Sequence, residues 1–257
     1  MGQHFLGDEA WRQRILKILH PGAHESWIEV GPGHGEMTQL LAGDGRRVLA
    51  IEADTRLAED LQHKIESHER EWPNVEIISA DVLTVDFQRL LTGDFRVYGN
   101  LPYYITSPIL HHLFDYAGQI LSIHIVIQLE VAERIAARPG RREYGYLSAL
   151  CQFYAKPEIV LRIPPGAFRP PPRVKSALVR MILPGERASL SIGDEKRFLE
   201  FVQGCFGQKR KTLRNNLRSL ASDLKIHQVI KDCGLRPDAR AEQLTLAQFA
   251  ALFASLS

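Results

Sequence analysis

Trp27-Ile28-Glu29-Val30-Gly31-Pro32-Gly33-His34-Gly35-Glu36-Met37-Thr38-Gln39-Leu40-Leu41 decides the fold of this 257-residue chain. The first four residues read as a short apolar strand, the next five as a glycine-rich turn, and the rest as the start of a helix. A nucleoside or dinucleotide site requires that order, because glycines permit a sharp turn and let a ligand approach the backbone. The spacing is G-x-G-x-G, not the phosphate-binding G-x-G-x-x-G. Gly31, Gly33 and Gly35 are therefore candidate cofactor contacts, and a nicotinamide-dependent oxidoreductase is the disfavoured reading. His34 reads as a loop residue and not as a base.

The pattern repeats outward along the chain. A second strand, Val48-Leu49-Ala50-Ile51, ends in Glu52, which lies 21 positions after Gly31. A ribose-hydroxyl acceptor at the end of the second strand sits at about that distance. A third, Val75-Glu76-Ile77-Ile78, runs into Asp81, a candidate acceptor for an adenine amine. A fourth, Phe95-Arg96-Val97-Tyr98, leads into Asn100-Leu101-Pro102-Tyr103. Pro102 fixes its own φ and holds Leu101 extended. The Asn100 amide and the Leu101 carbonyl can then accept the two hydrogens of an exocyclic amine, with Tyr103 as a stacking face. Ligands of open α/β sheets bind beyond the carboxyl ends of the strands.

These motifs resemble those of S-adenosylmethionine-dependent methyltransferases of class I, and N-L-P-Y resembles the form that methylates exocyclic amino nitrogens. Gly2-Gln3-His4-Phe5-Leu6, Phe168-Arg169-Pro170-Pro171-Pro172-Arg173-Val174-Lys175-Ser176 and Gln208-Lys209-Arg210-Lys211-Thr212-Leu213-Arg214-Asn215 narrow the likeness. Together they resemble the ribosomal RNA adenine N6-dimethyltransferase family over nearly the whole chain, most closely its housekeeping small-subunit members. The macrolide-resistance members, which act on large-subunit RNA, share the first domain's motifs.

The resemblance implies S-adenosyl-L-methionine as cofactor, with His4 and Leu6 near it. It implies dimethylation of two adjacent adenosines in a 16S hairpin, and Phe168 as a second stacking face opposite Tyr103. Family members carry a basic stretch before the G-Q-x-F-L motif. Here the chain starts at Met1-Gly2, so an arm of that kind is left out of the expected RNA contacts.

The first half alternates strands with helical patterns, which predicts a mostly parallel seven-stranded sheet with helices on both faces. Helices are expected over 8–20, 55–71, 106–116 and 130–137. Pro184-Gly185 marks the expected boundary between a catalytic domain, 1–184, and a small helical RNA-binding domain, 185–257, with helices at 209–220, 225–233 and 245–256. Composition is 45% hydrophobic and 24% charged, with a net charge of +2. Residues 186–257 hold twelve Lys/Arg against eight Asp/Glu, a net of +4. Such a patch matters more for phosphate binding than the total does.

Arg210, Arg214 and Arg218 recur every four residues, so one helix face is expected to carry them, with Lys209 and Lys211 beside them. Leu213, Leu217 and Leu220 are expected to pack inward. Arg138, Arg141 and Arg142 form a second basic group, and Arg169, Arg173 and Lys175 a third. Cys151, Cys205 and Cys233 form no C-x-x-C pair, which reads as free thiols in a reducing cytoplasm. No metal-ligand spacing, membrane-length apolar run or signal peptide is present, and a monomer is expected. A rival reading from another class is a non-catalytic nucleic-acid-binding assembly or transcription factor on the same fold.

Overall fold

The computed structural model describes residues 4–67, 72, 74–102, 105–208, 211–218 and 220–256. Seven strands form one sheet: β1 (Ser26–Val30), β2 (Arg47–Glu52), β3 (Val75–Ser79), β4 (Phe95–Asn100), β5 (Ile120–Gln128), β6 (Lys156–Ile163) and β7 (Ser176–Ile182). Helices in the first half are α1 (Glu9–Leu19), α2 (Glu36–Leu41), α3 (Thr55–Ser67), α4 (Phe87–Leu90), α5 (Thr106–Phe114) and α6 (Leu129–Ile135). Those that follow are α7 (Tyr146–Tyr154), α8 (Arg187–Leu190), α9 (Glu195–Cys205), α10 (Leu213–Asn216), α11 (Asp223–Asp232) and α12 (Leu246–Leu256).

Strand order is β3-β2-β1-β4-β5-β7-β6. β1 runs parallel to β2 and β4, β2 to β3, and β4 to β5, while β7 is antiparallel to β5. This is the mostly parallel α/β sheet expected from the alternation of strands and helices. The inner strands are buried along nearly their whole length, as strands covered on both faces must be. From β1 the chain builds outward to β2 and β3, then returns to place β4 on the other side. That reversal opens a crevice at the carboxyl ends of β1 and β4.

Local chemistry sets the helix starts. Asp8 caps α1 by accepting from the Ala10 and Trp11 amides at 2.8 and 3.4 Å. Ala58, Leu61 and Ile65 give α3 its buried stripe.

The chain divides into two compact units, residues 1–132 with 157–183, and residues 133–156 with 184–257. A single cut at 184 therefore does not describe it, because 133–156 packs with the helical unit. The cause is aromatic. Phe153 of α7 meets Phe198 of α9 at 5.4 Å between ring centres, and Tyr144 meets Phe206 at 5.9 Å. Phe206 in turn meets Phe249 of α12 at 5.6 Å. Tilted and edge-on pairs of this kind add to the area they bury. Gly185 is close-packed and not a loose hinge: a Cβ there would overlap the Ala155 amide nitrogen and the Gln152 carbonyl oxygen.

The long helix expected at 209–220 is not formed, and among the described residues α10 is one turn. The Asn216 amide reaches back to the carbonyls of Cys205 at 2.7 Å and Gln208 at 3.3 Å. The Leu213 amide donates to the Ala239 carbonyl at 2.8 Å. Both bonds favour a turn over helix continuation. Leu213 and Leu217 are buried as expected, but Leu220 is 53% exposed. Lys209 and Arg210 lie outside the described residues.

Candidate active site

The crevice holds a cavity of about 780 Å³, formed within the first unit. His4, Gly31, Gly33, Glu52, Asp81, Asn100, Leu101 and Pro102 all line it. Tyr103 lies outside the described residues.

Gly31 and Gly33 have φ of +69° and +58°, in the left-handed region that side chains rarely adopt. A Cβ on Gly33 would also lie 2.6 Å from the Phe5 ring. The Gly33 amide donates to Glu52 Oε2 at 3.1 Å, and the Asp54 amide donates to Oε1 at 3.0 Å. Glu52 is thus fixed at the end of β2, 5% exposed. Each of its oxygens retains a lone pair for a ligand hydroxyl. Asp81 spends one oxygen on the Leu83 amide at 3.0 Å.

Asn100 sits at the end of β4. Its Nδ2 donates to the His4 carbonyl at 2.8 Å. A carbonyl can only accept, so this bond fixes which way the amide lies. The nitrogen is engaged, and Oδ1 remains as an acceptor. His4 itself is anchored by Nδ1–H donating to the Pro170 carbonyl at 2.8 Å. Phe5 exchanges two backbone hydrogen bonds with Arg169, at 3.0 and 2.8 Å. Residues 4–6 thus form a strap that orients Asn100 and lays Phe5 against the glycine turn.

Three of the expected site residues do not line the cavity. Phe168 is 1% exposed and packs in the core with Leu6, Ile15, Tyr98 and Leu178. It offers no stacking face to a base, because its ring is spent on that core. Leu6, 7% exposed, belongs to the same cluster. Gly35, at φ +83°, opens α2, and a Cβ there would collide with Leu61 and crowd Trp72. Its role is packing.

Sequence reasoning missed the apolar lining from Val82, Ile105 and Ile109, together with Phe5 and Asp54. The lining has three carboxylates, Glu52, Asp54 and Asp81, and no lysine or arginine among the described residues.

Glu29 was also missed as a titrating group. Its signal was a lone acid inside an apolar strand. It is 2% exposed, and burial pushes its carboxyl up to about 8, with Glu36 and Glu52 adding to the rise against a Thr38 hydrogen bond. Tyr98 and His124 stand abreast of it on β4 and β5. Glu29 Oε2, the Tyr98 hydroxyl and His124 Nδ1 are buried without a protein partner among the described residues. Burial first, then Arg96 and Arg180, lowers His124 to about 4, so the imidazole is neutral.

The basic groups are dispersed. Arg138, Arg141 and Arg142 are exposed on a loop of the second unit, tied down by the Gly140 amide on the Glu242 carbonyl at 2.7 Å. Arg173 and Lys175 are exposed in the first unit, while Arg169 uses Nη1 on the Gly166 and Phe168 carbonyls, both at 3.1 Å. Lys211 is exposed. Arg214 and Arg218 both turn to Asp223. No group of three or more metal-ligating side chains occurs among the described residues.

A family model described as ribosomal RNA adenine dimethylase matches residues 1–257. The ribosomal RNA small subunit methyltransferase A of Xanthomonas campestris pv. campestris (strain 8004) is 42% identical over 250 residues, 97% of this chain and 92% of that protein. Its counterpart in Xanthomonas oryzae pv. oryzae (strain PXO99A) is 41% identical over the same shares. Among solved structures, the 23S rRNA methyltransferase ErmE aligns with a TM-score of 0.71 and 27% identity, over 98% of this chain and 99% of that one. A dimethyladenosine transferase from Plasmodium falciparum shares the fold, with a TM-score of 0.78 and 22% identity over 97% and 96% of the two chains.

Proposed function

We propose a function from the premise that this chain belongs to the ribosomal RNA adenine dimethylase family. It is a ribosomal RNA methyltransferase, and the small-subunit assignment is favoured over the large-subunit one by relatives more than 40% identical along nearly the whole chain. Our reading is N6-dimethylation of two adjacent adenosines in small-subunit RNA, with S-adenosylmethionine as methyl donor. We place catalysis in the first unit and RNA binding chiefly in the second. The enzyme acts as a cytoplasmic monomer on the small subunit or its precursor.

The observation that carries the cofactor is the charge of the crevice. Three carboxylates and no lysine or arginine among the described lining residues suit a cationic sulfonium and oppose a pyrophosphate. Glu52 would hold the ribose hydroxyls through its remaining lone pairs. Asp81 would accept from the adenine amine, and Val82, Ile105 and Ile109 supply an apolar wall. When bound, S-adenosylmethionine supplies an electrophilic methyl group.

Asn100 Oδ1 and the Leu101 carbonyl would accept the two N6 hydrogens of the target base and turn its lone pair toward that methyl carbon. The N–C bond forms as the C–S bond breaks, leaving the electron pair on sulfur. The N6 proton then passes to water, since neither an amide nor a carbonyl is a base. After the first transfer one hydrogen remains, and one acceptor still orients the second. The base must leave its stack to reach the cavity. Tyr103 is our candidate for holding it, through stacking worth roughly 1–3 kcal/mol.

Incubation with methyl-labelled S-adenosylmethionine and undermethylated small subunits, followed by nucleoside mass spectrometry, should yield dimethyladenosine. Methylation confined to large-subunit RNA, or none, would overturn the reading. Glu52→Ala should weaken cofactor binding by about 1.5–3 kcal/mol through lost charge-assisted hydrogen bonds. Calorimetry on a folded Glu52→Ala protein checks this, and unchanged affinity would remove Glu52 from the site.

A further inference from the structure

Arg214 and Asp223 form a two-pronged pair: Nε donates to Oδ1 at 2.8 Å, and Nη2 donates to Oδ2. Arg218 Nε lies 3.8 Å from the same Oδ1. The three side chains are 41%, 46% and 63% exposed for Arg214, Asp223 and Arg218, so the cluster faces solvent. Asp223 is the first residue of α11, and Ser222, whose hydroxyl accepts from the Lys225 amide at 3.4 Å, already caps that helix. The carboxylate is therefore not needed as the cap.

A guanidinium fork meets a carboxylate and a phosphate in the same planar, two-bond geometry. An RNA phosphate approaching this face finds the Arg214 fork occupied, and two positive charges reduced to a net of one. It must displace Asp223 or accept only from the outer edge of the guanidinium.

We propose that Asp223 is an internal competitor for RNA phosphate. It holds the Arg214–Arg218 pair in check, weakens sequence-independent RNA binding, and yields the pair only to RNA that other contacts have already positioned. Such a contact raises discrimination by lowering affinity for the wrong partner. It also eases departure from the finished product, because Asp223 re-forms the pair as the phosphate leaves. The inference rests on reading the α10 region as an RNA-contacting face.

Binding of a small-subunit RNA fragment and of an unrelated RNA to the full chain should be followed across salt. The variants are Asp223→Asn, Asp223→Glu, Arg214→Gln with Arg218→Gln, and all of Asp223→Asn, Arg214→Gln and Arg218→Gln together. Each additional phosphate bound steepens the slope of log K against log salt by about 0.7–0.9. Asp223→Asn should engage one more phosphate and tighten unrelated RNA roughly five-fold at 0.1 M salt. The tightening should vanish when both arginines are also replaced, and Asp223→Glu should stay close to wild type. Should Asp223→Asn fail to fold, Asp223→Ser serves in its place.

Two failures are distinguishable. If the double arginine variant flattens the slope and Asp223→Asn changes nothing, Asp223 is not a competitor and the RNA face stands. If the double arginine variant leaves the slope unchanged, the RNA reading of this face falls and the proposal falls with it.

Discussion

Asn100→Ala should slow methyl transfer by roughly two to three orders of magnitude while leaving RNA affinity nearly unchanged. The size is that of losing one preorganised hydrogen-bonding group at a reacting centre. Asn100 touches a single amine of a large substrate, so its loss reads out in kcat and not in binding. The geometry adds a sharper variant. Asn100 Nδ2 is held by the His4 carbonyl at 2.8 Å, which leaves the oxygen to the substrate. Asn100→Asp keeps an acceptor but sets a carboxylate against that carbonyl. It should therefore be nearly as impaired as Asn100→Ala. Single-turnover kinetics with labelled cofactor, beside RNA titrations, decide the matter. Normal turnover in Asn100→Ala would end the paired-acceptor mechanism, and normal turnover in Asn100→Asp would show that the tie to His4 does not orient the amide.

The second large effect concerns pH and stability. Glu29 is buried and its carboxyl is raised from 4.5 to about 8 in the folded protein. The folded state thus binds a proton more tightly than the unfolded chain. This contribution is fully present below pH 4.5 and is lost as the pH rises through about 8. Across that window the loss accrues at about 1.4 kcal/mol per pH unit, so a few kcal/mol are at stake. Glu29→Gln carries no charge to bury. It should unfold at nearly the wild-type urea concentration at pH 5 and at a clearly higher one at pH 9. Other groups titrate alike in both proteins, so the difference between the two curves isolates Glu29. Parallel curves from pH 5 to 9 would mean that Glu29 ionises in the fold without penalty.

The sheet was legible because its determinants are local. A glycine turn after an apolar strand, and a polar residue at each later strand end, specify both the alternation and the edge on which ligands collect. Glu52, Asp81 and Asn100 were visible for that reason, and they line one cavity. Phe168 was not, because whether an aromatic faces a ligand or the core depends on what surrounds it. Here Leu6, Ile15 and Tyr98 surround it. The arginine spacing at 210, 214 and 218 gave no sign of Asn216 turning the chain back to Cys205, nor of Asp223 lying within reach of two of them. Helix α7 escaped notice because its residues are largely apolar on every side and carry no periodic stripe. The strap at residues 4–6 carried a motif but no periodicity, so only the fold shows the His4 carbonyl holding Asn100.

The two-segment make-up of the helical unit has a consequence for biosynthesis. Tyr144 is made 62 residues before its partner Phe206, and Phe153 is made 45 residues before Phe198. At about 5–20 residues per second, the first of these rings waits roughly 3–12 s for its partner to be synthesised. During that interval an apolar helix, α7, is made without the surface that will cover it. The hazard belongs to the nascent chain alone and is invisible in the finished protein. It also means that exchanging this unit between related enzymes requires two grafts, 133–156 and 184–257. A graft of the tail alone would set a foreign aromatic layer against the host's Tyr144 and Phe153.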